Sequence, residues 1–129
     1  MIERYSRPQM AKIWSDENRL RAMMRVEEVF LEVLAAEKDI PARELKALSS
    51  LMNRSLLEAA RGKESSSGHE VIGLLQAVSQ EVQEKAPNLG RYLHYGLTSS
   101  DVLDTALAMQ MRDYRELLLL GWEEVASRL

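Results

Sequence analysis

An all-α fold is what this sequence predicts, and three observations predict it. Leu, Ala, Glu, Met and Arg are abundant, while runs of β-branched residues are few and only one Phe and three Pro occur in 129 residues. The abundant types are those that lose least conformational freedom on entering a helix. Apolar positions recur at three- and four-residue spacing instead of alternating. No internal repeat is present, and with 46% hydrophobic residues a chain of this length makes a single core.

The elements follow in order. Ser6, with Gln9 three residues on and Pro8 in the first turn, opens a short helix to about Trp14. Ser15 caps a longer one to about Lys38, in which Leu20, Met23, Met24, Phe30, Leu31 and Leu34 share a face. Val26, Val29 and Val33 form a second apolar strip there, so burial on more than one side is expected. Asp39 to Pro41 turns the chain, and Leu45, Leu48, Leu51, Met52, Leu56 and Leu57 mark one or two short scaffold helices. Arg61 to Gly68, rich in Gly, Ser and charge, reads as a mobile loop. His69 stands where the next helix begins, and Val71, Ile72, Leu74, Leu75, Val78 and Val82 carry it to about Lys85. Pro87, Asn88 and Gly90 end it. From Ser99 the last helix is apolar nearly all round and meets no stop signal before Leu129, which predicts neighbours on every side and a longer protein in which the helix continues.

Composition excludes several function classes. A net charge of −3, with acids and bases interspersed, does not make a nucleic-acid surface. With no cysteine there is no disulfide, thiolate nucleophile or Cys-based zinc site, and only His69 and His94 offer imidazole ligands, so no metal is expected. Neither a signal-peptide pattern at Met1–Arg4 nor a membrane-spanning stretch is present, which predicts a soluble cytoplasmic protein.

The most informative segment runs His94-Tyr95-Gly96-Leu97-Thr98-Ser99-Ser100-Asp101-Val102-Leu103-Asp104. An imidazole and an aromatic precede a glycine turn, and three hydroxyls with an acid then open a helix. Unpaired backbone N–H groups beside those hydroxyls suit a carboxylate or a phosphate, with a proton-switchable His alongside. The same residues also make a plain capping box between Thr98 and Asp101. The two readings are compatible, since Ser99 and Ser100 can face a ligand while Thr98 caps.

Three further positions carry two readings each. Glu27 falls within the apolar stripe of the second helix, where it either pairs with a base, an Arg of another helix first of all, or faces a cavity. Arg4 and Tyr5 are a frayed tail, or a planar fork for phosphate and a ring for a base. His69 is a solvated histidine at a helix start, or a ligand contact beside Glu70.

His94 through Ala106 resembles a signature segment of the adenylosuccinate lyases, in the fumarase/aspartase superfamily. Ile2-Glu3-Arg4-Tyr5-Ser6-Arg7-Pro8 and Met10-Ala11-Lys12-Ile13-Trp14 resemble that family's N-terminus, and Gly68-His69-Glu70-Val71 falls where it carries a His-Asp-Val stretch. The resemblance implies the N-terminal helical domain of a fumarase/aspartase-type lyase over residues 1–100, with 101–129 the start of a central bundle of long helices. It also implies a homotetramer with sites built from several subunits. The implied activity is cofactor-free elimination of fumarate from adenylosuccinate, giving AMP, and from the succinylated imidazole carboxamide ribotide of purine biosynthesis. By the family pattern Arg4 and Tyr5 contact the nucleotide, His69 and Glu70 the reacting end with His69 catalytic, His94 the phosphate region, and Thr98 and Ser99 a succinyl carboxylate.

The family's principal acid, a later histidine, and its base, a loop serine, match nothing in this chain, so the piece alone is expected to be inactive. Gly68 and Glu70 depart from the pattern, which commonly has a basic residue before the His and Asp after it. The alternatives are another lyase of the superfamily, a carboxymuconate-type cycloisomerase, or a non-catalytic helical assembly module.

Overall fold

The Ser15 hydroxyl accepts the Asn18 backbone N–H at 3.1 Å, and the helix that this cap opens is the axis of the molecule. In the computed structural model, which describes residues 5–38, 40–51 and 54–129, seven helices follow in order. They are α1 Pro8–Ile13, α2 Asp16–Lys38, α3 Ala42–Leu51, α4 Arg54–Ser67, α5 Glu70–Lys85, α6 Pro87–Gly90 and α7 Ser99–Ala126. Among the described residues there is no strand. Asp39 and Met52, assigned above to a turn and to a short helix, lie outside the described residues, as does Arg4.

The core is built from one face of α2 (Leu20, Met23, Met24, Leu31), one face of α5 (Val71, Leu74, Val78, Val82) and the first turns of α7 (Val102, Ala106), closed by Leu89. Burying each of the larger side chains contributes on the order of 1.5–3 kcal/mol. α2 and α7 run antiparallel. At one end Gln110 Nε2 donates to the Ile13 carbonyl at 2.6 Å and the Trp14 and Tyr114 rings lie 6.0 Å apart; at the other, His94, just ahead of α7, is bonded to Glu27. No helix of the described residues is long and apolar enough to cross a membrane.

Three expectations need correction. Residues 61–67 are helical, the last turns of α4. Burial of Leu56 and Ala60 outweighs the low helix propensity of Gly62 and the serines, and the Ser66 and Ser67 hydroxyls bond back to carbonyls of the preceding turn. The chain reverses only at Gly68, whose φ of +67° is open to glycine at little cost. Ser6 does not cap the first helix: its N-cap is Arg7, without a side-chain hydrogen bond, and Pro8 sets the first turn. The second strip of α2 is covered only at Val26, which is partly buried against the core, while Val29 and Val33 are exposed. Beyond Gln110, α7 has no buried residue, and Leu118, Leu119, Leu120, Trp122 and Val125 face outward, an apolar face with no cover from the described residues.

Two buried features set tolerances. α5 lies so close to α4 that a Cβ on Gly73 would stand 2.6 Å from the Glu64 backbone nitrogen and 2.8 Å from its Cα. Glu44, also buried, accepts the Asn88 side-chain amide at 2.7 Å and the Leu89 N–H at 3.0 Å, holding α3 to the short α6. The Asn88 hydrogen bond is the main cause that holds the Glu44 carboxyl below its ordinary value.

Gly73→Ala is therefore expected to cost about 1–3 kcal/mol in urea unfolding, since backbone and not a flexible side chain must yield; an unchanged midpoint would contradict the close approach. A carboxyl held below its unfolded value contributes stability that is present above the ordinary carboxylate range and lost as pH falls through the folded value. The stability gap between the native chain and Glu44→Gln, about 1–3 kcal/mol near neutrality, is accordingly expected to shrink on acidification, and a pH-independent gap would contradict this.

Candidate functional site

The candidate residues gather at two levels of α2. At the first, His69 is the N-cap of α5, in extended backbone (φ −141°, ψ 119°), with its own N–H on the Ser67 hydroxyl at 3.3 Å. Its ring makes no cap; Nδ1 is the buried side-chain polar atom that lacks a hydrogen-bond partner among the described residues. The next residue is Glu70. It pairs with Arg19 of α2 at 2.7 Å, and burial pushes its carboxyl above the ordinary value, with Arg19 opposing. Asp16, Arg19, Arg61, Glu64 and Glu70 line an open cleft of about 490 Å³ beside this pair.

At the second level, Glu27 is almost fully buried, 1% exposed. Oε1 lies 2.6 Å from His94 Nδ1, and Oε2 accepts the His94 backbone N–H at 3.0 Å. The expected partner was an arginine of another helix; the partner found is a histidine of the segment between α6 and α7. The donor and acceptor in the ring contact depend on the His94 tautomer; against an ionised carboxylate, which only accepts, Nδ1 carries the hydrogen and Nε2 is the ring atom left over. His94 holds φ +59° and Gly96 φ +76°. The first is strained for a residue with a side chain, and the bidentate hold of Glu27 on its ring and amide is what sustains it.

From this turn the chain enters α7 through Thr98. A capping box closes the helix start, the Asp101 carboxylate accepting the Thr98 N–H at 2.8 Å. Ser99 is half-buried at the first helical position and Thr98 and Ser100 are exposed. Tyr95 is exposed and packs edge-on to Tyr92 at 5.8 Å. Tyr5, at the opposite terminus, is exposed.

Thus His69 with Glu70, and His94 with Thr98 and Ser99, form two clusters. They are anchored to α2 at Arg19 and Glu27, eight residues and about 12 Å of helix axis apart. Arg19 escaped sequence reasoning. Its signal was slight: a long cation one residue before Leu20, at the edge of the buried stripe. Among the described residues no three His, Asp or Glu side chains gather as a metal site.

This arrangement defines a class. The chain has the helical architecture of the fumarase/aspartase fold: it superposes on the 3-carboxy-cis,cis-muconate lactonizing enzyme of Pseudomonas putida with a TM-score of 0.75, at 28% identity over 88% of this chain and 26% of that one. A second cycloisomerase, from Acinetobacter calcoaceticus, shares the fold with a TM-score of 0.68. In sequence the chain is similar to adenylosuccinate lyases along nearly its whole length. It is 38% identical to that of Bacillus subtilis over 95% of this chain, 41% to that of Synechocystis over all of it, and 33% to that of Aquifex aeolicus. It spans 27–29% of the length of these relatives. No family model matches it.

Removing the Glu27 charge leaves one acceptor for two donors in a buried place. Glu27→Gln is expected to cost on the order of 1–3 kcal/mol in denaturant unfolding while helix content by circular dichroism stays nearly unchanged. A variant as stable as the parent would contradict the buried bidentate contact.

Proposed function

We propose that this chain supplies substrate-binding groups of an adenylosuccinate lyase, acting on adenylosuccinate and on the succinylated imidazole carboxamide ribotide in the cytoplasm. The observation that carries the reading is the similarity to lyases of that name over essentially the entire chain, with the His94–Ser99 segment folded as an ordered turn into a helix start. Elimination of fumarate needs a base at the carbon beside a carboxylate, stabilisation of the carboxylate charge that develops, and an acid for the departing nitrogen. It moves no electrons to a carrier, so no cofactor is called for.

In this reading the Ser99 and Thr98 hydroxyls and the first N–H groups of α7 take the succinyl carboxylate, where helix-start donors and dipole favour negative charge. His69, whose buried Nδ1 has no partner among the described residues, assists at the departing nitrogen with Glu70 beside it. His94 takes the phosphate region through Nε2, and Arg4 and Tyr5 the nucleotide. Residues 1–100 then serve as the N-terminal helical domain and 101–129 as the start of the central bundle. Two clusters about 12 Å apart along α2 suit a site completed by other subunits of a homotetramer, and the outward apolar side chains of α7 suit the contact between them.

The superposition on cycloisomerases gives the second reading, a carboxymuconate-type cycloisomerase; offering both substrates to the protein that carries this chain decides between them.

In that protein, Ser99→Ala is expected to lower kcat roughly 10- to 1,000-fold, the range for losing a donor aimed at charge that grows in the transition state. Arg4→Ala should raise KM, because nucleotide contacts are equal before and during the reaction. Residues 1–129 alone should release no fumarate. Turnover by the isolated chain, or an unchanged kcat for Ser99→Ala, would overturn the assignment. The isolated chain is also expected to self-associate through α7 in sedimentation runs; a strict monomer at high micromolar concentration would contradict that.

A further inference from the structure

Glu27 is a buried carboxylate for which the elimination has no use. It is 1% exposed, reaches across 67 residues of sequence to the turn before α7, and gives both oxygens to one residue, the ring and the amide of His94. Burying a carboxylate is costly, and an apolar side chain of similar volume would fill this point of α2 but hold neither the amide nor the ring of His94. What the carboxylate provides that an apolar group does not is a fixed proton location. With Nδ1–H committed to Oε1, the imidazole cannot exchange freely between its two neutral tautomers or swing about χ2, and the partly exposed ring offers Nε2 alone. The second oxygen holds the His94 amide, and with it the left-handed backbone that leads through Gly96 to Thr98.

We propose that Glu27 is a positioning residue for ligand binding, fixing the tautomer and orientation of His94 so that Nε2 meets the phosphate end of the substrate and the turn delivers Thr98 and Ser99 in register with it. The ligand part of this rests on the function proposed above; the tautomer part does not. With Nδ1–H held 2.6 Å from Glu27 Oε1, a proton at Nε2 makes that atom the donor that a phosphate oxygen accepts.

The test begins with the chain as it is. Long-range proton–nitrogen correlation of a nitrogen-15 labelled sample, with His69→Asn separating the two histidines, reads the tautomer of His94 when the ring is neutral. The expected result is a single Nδ1–H form, which Glu27→Gln converts to a mixture or to the Nε2–H form. A native His94 that is mixed or Nε2–H overturns the proposal without recourse to any variant, so poor folding of Glu27→Gln does not shield it. In the complete protein, with adenylosuccinate as probe, Glu27→Gln should raise KM about 10-fold and by more than it lowers kcat. In a His94→Asn background the further rise should be under about twofold, because the two act as one unit. Additive effects would overturn the positioning role, since loss of packing alone adds. Absence of turnover in the native complete protein would instead overturn the proposed function, leaving the tautomer result to stand or fall by itself.

Discussion

A carboxylate taken out of water must find donors enough to replace its hydration, and at Glu27 the donors come from a residue 67 positions later in the chain. That contact links the middle of α2 to the entry of α7. It complements the other tie between the two helices, where Gln110 donates to Ile13. Between these polar ends lie Met23, Met24, Val102 and Ala106, all buried. The apolar contacts supply most of the stabilisation, but they are non-directional and would tolerate a small slide of one helix on the other. The hydrogen bonds at the two ends fix the register, and the register sets where Thr98 and Ser99 stand.

The same logic recurs at Glu44, whose oxygens hold Asn88 and Leu89 at the start of α6. Both buried carboxylates accept a backbone N–H from the stretch between α5 and α7, which has little regular structure of its own. A segment of that kind must satisfy its buried amides somewhere, and α2 and α3 provide the acceptors. The turn that carries His94 is thus built into the scaffold from two sides.

The helices of this fold were legible in the sequence wherever one periodic face is buried against neighbours of the same chain. Leu20, Met23, Met24, Leu31 and Leu34 of α2, and Val71, Leu74, Val78 and Val82 of α5, stand in the core as their spacing requires. The end of α4 was not legible, because the close approach of Gly73 to the Glu64 backbone is a tertiary fact that no local propensity contains. Burial of Glu27 could be read from its place in the stripe. Its partner could not, since a histidine held at positive φ is selected by a turn geometry absent from any periodic pattern. Val29, Val33 and the later apolar residues of α7 mark the limit of periodicity in the other direction: it says that a face is apolar and not what covers it. For the site, the hydroxyls at Thr98 and Ser99 were placed by composition at a helix start, whereas the Arg19–Glu70 pair, 51 residues apart in sequence, required the fold.

Glu27 holds the turn at His94 through its amide as well as its ring, and native-state hydrogen exchange reads that hold at the amide itself. A backbone N–H in an exposed connecting turn ordinarily exchanges through local fluctuations, whereas one bonded to a buried acceptor opens only when the surrounding core does. The His94 amide is expected to be protected to the level of the core amides of α2 near Met24 and Leu31, while that of the neighbouring exposed Gly96 exchanges fast. A His94 amide that exchanges as readily as Gly96 would contradict it.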